Sequence, residues 1–132
     1  MRLVFDERAR LQGQPGFHAL IAGVSAHPHL PGGMGAPAPD SYGMQQLSST
    51  ALTAYKMYCW LVERQNKLPV PLATCRLLLS PSSEEVQREP NLHGLADPCT
   101  LDQFRAAASE WRTDARSSTR MRVILWNRTI LL

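Results

Sequence analysis

The chain has 132 residues, 44% of them hydrophobic and 19% charged, with a net charge of +3. That size holds at most one ordinary domain, and that composition belongs to a globular chain, not a disordered one. Arg112, Arg116, Arg120, Arg122 and Arg128 gather basic charge near the end. No aromatic interleaving or reading motif accompanies them, so they read as a solvated helix end and loop and not as a nucleic-acid footprint.

The opening "MRLVFDERARLQGQPG" carries charges within its first ten residues and has no long apolar core, so it does not read as a signal peptide. Residues 1–15 are taken as an N-terminal extension ending in the "GQPG" turn. "FHALIAGVS", Phe17 to Ser25, is the clearest strand: a near-continuous apolar run of the kind that suits a parallel strand covered on both faces. The stretch that follows, Ala26 to Gly43, holds Pro28, Pro31, Pro37 and Pro39 among several glycines. A loop of that length in a compact domain is usually functional or disordered.

From Met44 to about Lys67 the pattern is helical. Leu47, Ala51, Ala54, Tyr55, Tyr58, Leu61 and Val62 step by three and four into one apolar stripe, with Asp40 or Ser41 available as a cap. Pro69 and Pro71 end it. "TCRLLLS", Thr74 to Ser80, is a second short strand, and one helical turn is expected around Ser83 to Gln87. "TLDQFRAAASEW" is the second clear helix, capped by Thr100 with Gln103 three residues later completing a capping box. Leu101, Phe104, Ala108 and Trp111 form its buried stripe. A basic loop leads to a third strand, Met121 to Trp126. The order strand, helix, strand, helix, strand predicts a βαβαβ unit, half of a doubly wound sheet with the first strand in the middle.

Few residues stand in a pattern that carries chemistry. Gly32, Gly33 and Gly35 in "PGGMG" have neither GxGxxG nor P-loop spacing, and no helix N-terminus follows them directly. His27 and His29 in "HPH" are alternate residues of an extended segment, which point to opposite sides, with no carboxylate or cysteine adjacent. Neither a cofactor nor a metal is expected. Cys59, Cys75 and Cys99 are odd in number and show no CxxC spacing, so they form neither a disulfide framework nor a zinc signature. Each lies in or beside an apolar run, which suits buried free cysteine and a reducing, cytoplasmic compartment. Cys99, before the capping Thr100 and six residues after His93, is the one near a helix start, where thiolate is favoured. A structural role is the better reading for it too. No GxSxG elbow is present, and Trp60, Trp111 and Trp126 suit anchors of a small core. No stretch approaches the length of a membrane-spanning helix.

Taken together, "HALIAGVSAHPHLPGG", "ALTAYKMYCWL", "CRLLLSPS" and "PCTLDQFRAAASEW" resemble the first half of a bacterial-type caspase-like domain, the peptidase C14 or caspase/metacaspase-like family of cysteine endopeptidases. The resemblance covers roughly residues 16 to 121 and rests on the order and spacing of these motifs. It implies a three-layer αβα, doubly wound, Rossmann-like sheet, with residues 16–126 as a partial domain and 127–132 as a divergent tail. It implies proteolysis by a His–Cys dyad acting on a peptide or protein substrate. The family's histidine stands in a Gly-His-Gly loop after the third strand and its cysteine follows the fourth. Here "RVILW" is followed by "NRTILL", and Asn127, Arg128 and Thr129 cannot replace an imidazole. No catalytic residue carries over. The expected product is a domain truncated before its dyad and inactive alone. The alternative is a non-catalytic module that pairs with a protein partner through an open sheet edge, with poor solubility by itself. No nucleic acid or membrane partner is expected.

Overall fold

The computed structural model describes residues 1–116 and the backbone of residues 125–126. Four strands form one sheet: β1 (Leu3–Asp6), β2 (Phe17–Val24), β3 (Leu72–Ser80) and β4 (Leu125–Trp126), in the order β1-β3-β2-β4. The helices are α1 (Arg8–Leu11), α2 (Thr50–Glu63), α3 (Ser83–Arg88) and α4 (Leu101–Arg116), with a 3-10 turn at Pro90–Leu92 between the last two.

β2 and β3 run parallel in continuous register, from His18 opposite Thr74 to Val24 opposite Ser80. Both are near-continuous apolar runs because both faces of each are covered. Strand side chains alternate between faces, so each strand feeds two clusters. Ala19, Ile21, Cys75, Leu77 and Leu79 pack with Ala51, Ala54 and Leu61 of α2. Leu20 and Leu78 turn to the other face and pack with Ala107, flanked by Phe104, Ala108 and Trp111 of α4. The result is three layers, helix on sheet on helix. At Gly23 the α2 backbone lies directly on the strand: a Cβ there would stand 2.6 Å from the Ala54 Cβ and 2.9 Å from the Ala51 Cα.

The expected central position of the first long strand holds, since β2 lies between β3 and β4. The expected wholly parallel sheet does not. Leu3–Asp6, assigned above to an extension, pair antiparallel with β3, and Leu11 of α1 is buried. Without them β3 would present an open edge of an otherwise apolar strand. Of the third strand, Leu125–Trp126 pair parallel with Leu20 and Ile21. Residues 121–124 and the tail with Asn127, Arg128 and Thr129 lie outside the described residues.

The start of α2 and two details of the helix caps also differ. The stripe from Ala51 to Val62 packs as expected, but α2 starts at Thr50, not Met44. The Leu47 amide bonds to the Ser25 carbonyl at 3.0 Å, which holds residues 44–49 in a non-helical path. Asp40 accepts from the Tyr42 amide in a local turn and caps nothing. α4 begins as read, with the Gln103 amide donating to Thr100 Oγ1 at 3.2 Å. The reciprocal half of its capping box is missing because the Gln103 side chain accepts from Arg2 instead. The complete box belongs to α3, where Ser82 and Glu85 bond each other's backbone. Leu101, placed above in the buried stripe, is 52% exposed in the first turn of α4.

Candidate functional site

In open α/β sheets, ligands bind beyond the carboxyl ends of the strands where the strand order reverses. Here that point lies between β2 and β4. Its described side begins at Ser25, which is fully buried. The Ser25 amide donates to the Ser80 carbonyl at 2.9 Å, and its Oγ accepts from the Ala51 amide at 3.0 Å. The next amide of α2, Leu52, donates to Glu85 Oε2 at 2.7 Å. Glu85 has no solvent exposure, and its Oε1 accepts from the Ser82 amide at 2.9 Å and from the Ser82 hydroxyl at 3.1 Å. Ser25 and Glu85 thus occupy amides that would otherwise attract an external anion.

The long loop is closed on itself. The Gln46 side chain accepts from the His27 amide at 2.6 Å and donates to the His27 and Pro31 carbonyls at 2.7 and 3.2 Å. The Gly33 and Gly35 amides donate inward, to Leu30 and Pro28 carbonyls. A Cβ at Gly33 would stand 2.3 Å from the His27 carbonyl oxygen, which explains the glycine. These amides form loop turns and no phosphate cradle. The His29 Nδ1 donates to the Ala36 carbonyl at 2.7 Å, so the two histidines of "HPH" serve loop folding separately. A cavity of about 460 Å³ is lined by this loop, with His29 and Asp40 as its titratable groups.

The cysteines are free thiols. Cys75 is buried on the α2 face of β3, and burial pushes its thiol up to about 12. Cys99 lies at the start of α4, where its amide donates to Ser80 Oγ at 3.0 Å. Burial raises its thiol as well. Cys59 is half-buried within α2, and His93 is exposed after the 3-10 turn. Nucleophilic thiol chemistry needs the opposite of what burial does to Cys75 and Cys99.

The densest polar cluster lies elsewhere, between the sheet and α4. Arg76, in the middle of β3, has only 7% of its side chain exposed. It donates to Glu110 Oε2 and to Asp114 Oδ2, each at 2.6 Å. Arg8 bridges Asp114 Oδ1 at 2.8 Å and Asp6 Oδ2 at 2.7 Å. Arg2 reaches Glu110 at 3.0 Å and Gln103 at 2.8 Å. Hydrogen bonds from Arg8 hold the Asp6 carboxyl below its usual range, and the bond from Arg2 does the same for Glu110. His18, on the same face, is 3% exposed. Its Nδ1 meets Thr74 Oγ1 at 2.8 Å, and its Nε2 has no hydrogen-bond partner. Burial lowers its basicity. His18 lines a cavity of about 120 Å³ together with Arg8, Gln14 and Asp114.

None of Arg76, Glu85, His18 or Asp114 was singled out by the sequence reading. A signal existed for Arg76, a lone charge inside the apolar run "TCRLLLS". Glu110 and Asp114 are spaced by four, so one helix face can present both to it. Among the described residues, no group of three or more His, Cys, Asp or Glu is placed to hold a metal ion. No described helix is long and apolar enough to cross a membrane. Comparison with protein-family models, with curated proteins and with solved structures finds no significant match.

Proposed function

We propose that this chain is a caspase-like α/β domain that does not hydrolyse peptides by itself. The burial of Cys75 and Cys99 carries this reading: both thiols are pushed away from the thiolate that a cysteine peptidase requires. The sequence agrees with it, since none of His18, His27, His29 and His93 stands in a Gly-His-Gly loop. The caspase-like part of the proposal rests on the sequence resemblance, and the layered arrangement with β2 in the middle is compatible with it. Fluorogenic peptides with basic and acidic P1 residues test the reading. The purified chain is expected to release no fluorophore above the rate of a Cys59→Ser, Cys75→Ser, Cys99→Ser triple variant. Turnover lost in that variant would overturn it.

A second reading is an interaction module that adds a partner's strand beside β4. It is favoured by the position of β4, among the described residues, at the end of the strand order. Sedimentation at rising concentration checks for self-pairing through that edge, which predicts growth in mass. A constant monomer mass at all concentrations speaks against pairing between copies.

A further inference from the structure

His18 lies under a set of ion pairs that fastens residues 2–8 to α4. The groups facing it come from each neighbouring element. β3 supplies Thr74 and Arg76, α1 supplies Arg8, β1 supplies Asp6, and α4 supplies Asp114, with Glu110 beyond it on Arg76. α4 also grips the His18 backbone, whose carbonyl accepts from Trp111 Nε1 at 3.1 Å. A neutral imidazole suits this position. One ring nitrogen shares a hydrogen with Thr74, and the other is buried without a hydrogen-bond partner in a residue that lines the small cavity.

A protonated ring does not suit it. An imidazolium has two N–H groups to satisfy and a charge to balance. Arg8 and Arg76 repel that charge, and Asp114, on the wall of the same cavity, attracts it. Asp114 is already shared between Arg8 and Arg76. Arg76 is held inside β3, whereas Arg8 is 43% exposed on a helix of four residues. Of the two cations, Arg8 is the one that can leave for water.

We infer that His18 is a proton-operated latch: on protonation its imidazolium takes Asp114 from Arg8, which loosens the segment carrying β1 and α1 from α4 while the β2–β3 core stays folded. The direction in pH follows from the burial of the ring. The ring is less basic in the folded chain than its usual value of 6.5. Stability is therefore full at neutral pH and falls as pH drops below that value, where the unfolded chain takes up a proton that the folded one resists. Asp6 and Glu110 are shifted down, so their contribution is kept through this window and lost only as pH falls through their lowered values.

Amide hydrogen exchange followed by NMR tests the latch on the whole chain. Between about pH 7 and about pH 5, protection factors of Leu3–Glu7 should fall about tenfold while those of Leu20 and Ile21 hold. In His18→Gln, which cannot take up the proton, β1 protection should not change over that range. In Arg8→Gln, β1 protection should be low at both pH values. The ring nitrogens of His18 in the unaltered chain give a readout that needs no variant: their shifts should report protonation over the same pH interval in which β1 loosens. Equal loss in β1 and β2, the same pH response in His18→Gln, or ring titration outside the loosening interval would overturn the inference.

Discussion

Glu85 is a carboxylate with no solvent exposure, and three donors account for its survival there: the Leu52 and Ser82 amides and the Ser82 hydroxyl. Both oxygens accept, so Gln cannot replace it cleanly, because its NH₂ group would face an N–H. Glu85→Gln is expected to cost about 2 kcal/mol, measured by urea unfolding. Arg76 poses the same problem with opposite sign. Arg76→Ala removes the shared partner of Glu110 and Asp114 and leaves buried acid behind, which predicts a loss of about 3 kcal/mol. Gly23→Ala forces a methyl into the α2 backbone and should cost about 2 kcal/mol. A native yield and an unchanged urea midpoint for any of these three would show that the contact in question relaxes.

At the scale of elements, the readable features were those set by local pattern. The apolar runs of β2 and β3 and the stripes of α2 and α4 were visible in the sequence because each repeats with the period of its own structure. β1 was not. "LVFD" is four residues in a charged setting, and it becomes a strand only because β3 has a free edge to pair with. The start of α2 departs from the helical period for a related reason. Met44 and Leu47 fit the helical period, but the bond from the Leu47 amide to Ser25 decides their conformation, and it joins residues far apart in sequence. α1 and β1 are short, and β1 pairs with β3 alone at the end of the strand order, so they are expected to open before the core. Limited proteolysis should cut within residues 7–15 before any cut in α2 or β3, and first cuts in α2 would contradict that order.

For the whole molecule, the layered α/β arrangement was legible, but the polar site was not. The site joins Arg2, Arg8, Arg76, Glu110 and Asp114, and periodicity carries no information about pairs more than 100 residues apart such as Arg8 with Asp114. Cys75 is buried as its apolar surroundings suggested, whereas Cys59 and Cys99 are only partly buried, because burial acts through the immediate neighbourhood of each thiol. That outcome leaves two of the three thiols desolvated. It also separates the two functional readings. A peptidase needs a reactive thiol at neutral pH, and a binding module does not.

Thiol reactivity measured residue by residue is therefore the most direct test of the central claim that burial keeps Cys75 and Cys99 from activation. Mass-resolved alkylation of the native chain at neutral pH is expected to leave Cys75 unlabelled until the chain is unfolded, and to label Cys99 more slowly than a free thiol. A cysteine that reacts faster than free thiol under native conditions, and is protected by a peptide substrate, would contradict the account.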